Sequence, residues 1–338
     1  MRVTFFILAM IWGVAVQAVT VSDLYRVSVP VQDQTSQSRA DAVTAAFHKV
    51  LVKVSGTRET LDNAPLADHE KRAESYISSL RYERQQDSGE LRLEVSFMPA
   101  PLQKLLGQSG APVWGASRPL TALWLVEDSG QGRTPVSLAN ELWGTAVSSA
   151  MNERGVPVLF PAWDLDDEMA LPLVRLWGLF EEDISRAAVR YSADGYLAGR
   201  ILSIGDGLSF AGYSQYGEEY IPLQFSATSI EELVSMLADH LAETLSDRYA
   251  VVALPSELAA GGHVIRVAGV DGFTDYRRLL DYLSEHVAIR GVRVLSLQGS
   301  EITLSIDTLN SWAQAWDVLA LDRKLQETEE ADSYVWLP

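Results

Sequence analysis

The densest group of reactive side chains is DLDDE at residues 164–168, four acids in five residues just after the apolar run VPVLFP at 156–161. Clustered carboxylates suit two chemistries. They can hold a hard divalent cation, which takes oxygen ligands. As a pair, they can work as acid and base on a glycosidic bond. Trp163 stands beside the acids, and Trp114 and Trp124 are further aromatic surfaces on which a saccharide could stack. A third account is structural. Acids collect in the first turn of a helix, where the positive end of the dipole stabilises them, and residues 171–180 read as helical. The fixed glycine and distal glutamate of an EF-hand loop are absent, so the structural account is preferred. The candidate binding set is Trp163, Asp164, Asp166 and Asp167, with Tyr191 and Arg200 from the stretch around SADGYLAGRILSI at 192–204.

Other catalytic patterns are missing. The chain has no GxSxG, HExxH, SxxK or P-loop sequence. The loop DSGQGRT at 128–134 has glycines but a single basic residue, Arg133, and fits no phosphate-binding pattern. The five histidines (48, 69, 240, 263 and 286) lack ligand spacing, and His48 reads as a polar-face helix residue. There is no cysteine, which excludes disulfides, thiolate metal sites, a cysteine nucleophile and a lipid-modified cysteine. No catalytic residue, metal or cofactor is therefore expected. With 27 Lys+Arg against 45 Asp+Glu, the net charge is −18, a poor match for nucleic acid or an anionic lipid surface.

The opening residues address location. Residues 1–18, MRVTFFILAMIWGVAVQA, combine Arg2, an apolar run and small or short residues before a cleavage point, as a secretory signal does. An uncleaved anchor is the alternative, though the run is short for a bilayer span. No later run reaches the length of a spanning helix. A periplasmic protein without a lipid anchor is expected, with another envelope protein as its partner.

At 338 residues the chain is too long for one ordinary core. Residues 19–110 read as an α+β domain: strand 24–31, helix 36–56, helix 69–81 and strand 90–98, with a short helix at 102–106. Ser36 or Ser38 would cap the first helix and Gly56 would end it. Residues 111–255 read as a mixed α/β domain. Strand 120–127, helix 137–154 and strand 156–161 form a βαβ-like unit, and Leu138, Leu142, Val147 and Met151 mark the helix's buried stripe. A hairpin with arms 196–204 and 208–216, a third strand at 218–225 and a helix at 229–245 follow. The glycines of AAGG at 259–262 mark a linker. Residues 261–338 then follow the ferredoxin-like order βαββαβ, with a helix at 309–325. Trp312 and Trp316 fall on one helix face as a core stripe.

Several stretches resemble a known family. RADAVTAAFHKVLVKVSGTRE (39–59), SRPLTALWLVED (117–128), RGVPVLFPAWDLDDE (154–168) and RAAVRYSADGYLAGRI (186–201) are similar to the DUF2066 family of uncharacterised secreted proteins of proteobacteria. More distantly, the middle domain's element order resembles envelope assembly proteins of the curli-secretion, penicillin-binding-protein-activator and Tol types. The resemblance implies an envelope protein and supplies no catalytic residue. The expected function is non-catalytic binding or assembly at another envelope component. The alternatives are a saccharide or peptidoglycan hydrolase using the 164–168 acids, and a structural subunit of an envelope complex.

Overall fold

The computed structural model describes residues 20–85, 89–253 and 262–338. Residues 1–18 lie outside them, as does most of the expected linker at 259–262. The chain is a mixed α+β protein built on three sheets.

The first sheet has the order β1-β3-β2 and is antiparallel. β1 (Arg26–Pro30) alternates exposed and buried residues. It leads into α1 (Ser36–Ser55), capped by Thr35, whose hydroxyl accepts from the Ser38 amide at 3.3 Å. The cap is thus one residue before the expected serines. Val43, Phe47, Val50 and Val54 bury one face of α1, and Gly56 at φ 83° ends it. α2 (Ala64–Ala67) and two 3-10 turns follow. The helix expected over 69–81 does not form: a 3-10 turn ends at Tyr76, and Ile77–Arg84 is strand β2. Tertiary pairing decides this. Leu80 lies opposite Val95 and Tyr82 opposite Leu93 on β3 (Leu91–Phe97), and such cross-strand apolar pairs outweigh local propensity. α3 (Pro99–Gln108) closes the unit.

The second sheet lies between two helical layers. β4 (Thr121–Asp128) is its buried centre. β5 (Arg133–Pro135) folds back on one end of β4. α4 (Glu141–Arg154) then returns the chain to β6 (Val158–Leu159), which pairs parallel with β4. α5 (Leu165–Ala170), α6 (Leu173–Trp177) and α7 (Glu181–Ala188) cover one face. β7 (Gly195–Ile204) runs parallel to β4, and β8 (Gly207–Tyr216) and β9 (Glu219–Ala227) extend the sheet antiparallel. α8 (Ile230–Tyr249) packs with α4 on the opposite face. Two expectations shift. Asn140 caps α4, so Leu138 precedes the helix and Leu142 points outward; Trp143, Val147 and Met151 form the buried stripe. The 171–180 helix is interrupted because Pro172 has no amide hydrogen with which to continue α5.

The third sheet has the order β11-β12-β10-β14-β13. β10 (His263–Ala268), α9 (Phe273–Glu285), β11 (Ile289–Gln298), β12 (Glu301–Thr308) and α10 (Trp312–Leu321) follow the expected order. The chain then turns through Arg323 at φ 54°, so the helix ends at 321 and not 325. β13 (Leu325–Glu327) leads back into β14 (Ser333–Trp336), which lies between β13 and β10 and runs parallel to β10. Trp316 meets Tyr334 with ring centroids 4.4 Å apart, in the apolar cluster under the sheet. Among the described residues, no helix is long and apolar enough to cross a membrane.

Candidate functional site

The acids of 164–168 sit where the strand β6 side of the sheet passes into α5. Asp164 is the N-cap of α5, and its Oδ1 accepts from the Asp167 amide at 3.1 Å. Asp167 is 1% exposed. Arg190, in the 3-10 turn after α7, reaches both acids. Its Nη1 donates to Asp164 Oδ1 at 2.6 Å and to Asp167 Oδ1 at 2.7 Å, and its Nη2 donates to Asp164 Oδ2 at 2.6 Å. The other oxygen of Asp167 accepts from the Tyr191 hydroxyl at 2.5 Å and the Trp163 amide at 2.8 Å. Tyr191 Oη in turn accepts from the Ala162 amide at 2.7 Å. Trp163 holds this turn at φ 52°. Its ring and that of Tyr191 meet buried Trp124 edge-on, with centroids 5.4 and 5.8 Å away.

Every carboxylate oxygen of Asp164 and Asp167 is therefore engaged inside the protein. Hydrogen bonds from Arg190 hold the Asp164 carboxyl well below the usual carboxylate range, helped by the Asp167 amide. Burial pushes the Tyr191 phenol up, and its bond to Asp167 adds to that. A glycosidase acid needs the opposite shift, a carboxyl raised so that it keeps its proton near neutral pH. The guanidinium also occupies the position a cation would take between the two acids. Asp166 is exposed and stands apart. Arg200 is on the interior strand β7, donates to the Trp177 carbonyl at 3.2 Å and does not join the acids. Trp114 and Trp124 are fully buried, in separate apolar clusters, so neither ring presents a face on which a saccharide could stack. Among the described residues, no three His, Cys, Asp or Glu side chains are grouped to hold a metal ion. Thus Trp163, Asp164, Asp167 and Tyr191 come together, while Asp166 and Arg200 do not. Arg190, the residue that organises the group, was not among the candidates. Its partners lie 23 and 26 residues earlier, and no local pattern joins them.

A second cluster joins the first two sheets. Arg118 is fully buried and uses all five of its N–H donors on backbone carbonyls: Gly115 (3.0 Å), Arg154 (3.1 Å), Gly155 (2.9 Å), Lys53 (2.7 Å) and Trp114 (3.1 Å). Lys53 and Arg154 lie in the last turns of α1 and α4. Their carbonyls lack partners further along the helix, so one cation serves the negative ends of two helices. Both helices end in a left-handed glycine. A β-carbon on Gly56 would lie 2.2 Å from Ser246 Cβ, and one on Gly155 would lie 2.6 Å from Arg118 Nη1. Burial lowers the Arg118 guanidinium to about 9 and the Lys53 ammonium to about 8. Lys53 Nζ donates to the Asp23 carbonyl at 2.9 Å. Arg154 meets Asp239 at 2.9 Å, and Arg58 binds the same carboxylate with two nitrogens. The third unit is tied in through Asp194, which accepts from Arg323 and from the Leu120 amide, both at 2.8 Å.

Residues 18–115 match the model of a domain of unknown function, DUF8605. The match covers the first sheet and its helices and ends three residues before Arg118. It replaces the DUF2066 resemblance, which no family model supports. No curated protein matches the chain. No solved structure matches it either, so the likeness drawn from the middle domain's element order to curli-secretion, penicillin-binding-protein-activator and Tol-type proteins is also withdrawn.

Proposed function

We propose that the protein is an exported binding module without catalytic activity, acting on another component of the cell envelope. The observation that carries this reading is the engagement of Asp164 and Asp167. With every oxygen bonded to Arg190, Tyr191 or a backbone amide, they brace α5 against the turn at 189–191, and the guanidinium beside them favours their charged form over taking up a substrate proton. The export part rests on the opening sequence, with Arg2, its apolar run and the small residues before position 19. Absence of cysteine leaves no site for a cysteine-linked lipid on the exported form.

The test is crosslinking in intact cells followed by identification of the captured species, alongside incubation of the purified protein with peptidoglycan. Capture of a specific envelope component and unchanged peptidoglycan are expected. Release of saccharide or peptide fragments by the parent protein, but not by an Asp164→Asn/Asp167→Asn variant, would replace the binding reading with a hydrolase.

A further inference from the structure

The third unit, residues 262–338, meets the rest of the chain through a small buried patch, and a histidine sits inside that contact. Ala288, Ala315 and Val318 pack with Val251, which pairs with Val113 of the first apolar cluster. Val287 fills the space beside Gly115, where an added β-carbon would come within 2.9 Å of the valine side chain. Two polar ties flank the patch. Asp322, just past α10, accepts from the Ser117 hydroxyl, and Arg323 donates to Asp194.

His286 follows the last residue of α9 and its side chain is 6% exposed. Its Nδ1 accepts from the Ala288 amide at 3.2 Å, so that nitrogen carries no proton in the docked form. The proton of the neutral ring is then on Nε2, which lies 3.6 Å from Asp322 Oδ2. A second proton has to enter at Nδ1. There it sets two donors against each other and removes the acceptor of a buried amide. That amide belongs to the residue that inserts into the patch. The imidazolium also competes with Ser117 for Asp322. His286 and Asp322 are both in the third unit, so pairing between them replaces a tie to the second unit with one internal to the third.

We propose that His286 is a proton-operated latch, whose protonation undocks residues 262–338 from the rest of the chain as the pH falls from neutral. The surroundings of the ring decide the direction. Asp322 faces it from the end of α10 and favours the charged form. Tyr282 of α9 meets it edge-on with centroids 5.8 Å apart, and Lys324 Nζ lies 4.8 Å from the Tyr282 ring. Lys104 of α3 and Glu285 line the same cavity as His286, of about 310 Å³. Burial outweighs the pull of Asp322 and holds the ring below the ordinary histidine range. An undocked ring, returned to water, takes up its proton near 6.5. Acid therefore favours release, by up to about tenfold in the undocked-to-docked ratio per pH unit for one proton.

The experiment uses the full exported chain. It has no cysteine, so donor and acceptor dyes go on Ser203→Cys in β7 and Gln298→Cys in β11, both exposed positions. Energy transfer is followed from about pH 8 to about pH 5, a range in which ordinary carboxylates keep their charge. Transfer should fall reversibly, with a midpoint below about 6.5. His286→Asn keeps a δ-position acceptor for the Ala288 amide and cannot titrate, so it should hold high transfer throughout. Asp322→Asn keeps an acceptor for Ser117 and removes the charge that favours the imidazolium, so it should move the midpoint to lower pH. Constant transfer in the parent overturns the proposal. An equal loss in His286→Asn also overturns it and assigns the change to other groups, as does a midpoint raised by Asp322→Asn. If an asparagine variant fails to fold, an NMR titration of the His286 ring in the parent decides. A ring that titrates below the ordinary histidine value, together with the loss of transfer, supports the latch; one that titrates above it overturns the latch.

Discussion

Replacing Arg118 with methionine keeps the side-chain stem and removes the charged fork. Five hydrogen bonds from a cation to carbonyls are lost; at roughly 1.5–3 kcal/mol each, the gross loss is roughly 8–15 kcal/mol. Burial of the charge opposes this. The guanidinium is held at about 9 against an ordinary 12.5, which at about 1.36 kcal/mol per pH unit corresponds to roughly 5 kcal/mol recovered when the charge goes. The freed carbonyls on α1 and α4 also regain some water as the variant relaxes, so the net cost falls toward the lower end, about 3–5 kcal/mol. Urea unfolding followed by tryptophan fluorescence reads this directly, because Trp114 lies under the guanidinium with its ring centroid 3.8 Å away. Calorimetry should show a melting temperature lower by roughly 10 °C and a transition that begins to separate the first sheet from the second. Hydrogen exchange should accelerate at the last turns of α1 and α4. A variant within about 1 kcal/mol of the parent, unfolding in one step, would refute the claim that one cation clamps the two helix ends.

Gly56→Ala places a methyl 2.2 Å from Ser246 Cβ at a left-handed φ and should cost roughly 2–4 kcal/mol in urea unfolding. Lys53 is protonated less readily in the fold, near 8, than in the unfolded chain, near 10.5. Between those pH values the unfolded chain binds more protons, so stability should rise with pH by roughly 3 kcal/mol from this group, and the rise should be missing from Lys53→Met in paired titrations. Asp164 has the usual carboxylate sign. Its folded value is depressed, so its contribution is complete above the unfolded value near 4 and fades as pH falls below it. Asp164→Asn should flatten the acid limb of the stability profile, measured by circular dichroism from about pH 5 to 2.

Periodicity located most elements correctly, since each has one apolar face. The stripe of α1 is buried along its length, and the strictly alternating β3 and the apolar run of β4 are strands. The helix expected from 229 does start there: Ser229 accepts from the Glu232 amide at 3.2 Å, and the Glu232 carboxylate accepts from the Thr228 amide at 2.7 Å. Errors fall where distant pairing overrides local preference. β2 exists because β3 offers it a partner, and β13 because β14 turns back between it and β10. At the candidate site, helix-start chemistry explained Asp164. The role of Arg190 depends on a contact across 26 residues, which no spacing rule carries. Arg118 was hidden for the same reason: its five partners come from three separate parts of the chain, and the charge has no acidic neighbour in sequence to point to it.

The central claim is that the 164–168 acids hold the fold and not a substrate. The free energy of unfolding of Asp167→Ala tests it most directly. Removing this buried carboxylate strands the Tyr191 hydroxyl, the Trp163 amide and one bond from Arg190, and the account predicts a loss of about 2–4 kcal/mol. A variant as stable as the parent would contradict it, leaving the carboxylate free to serve a ligand.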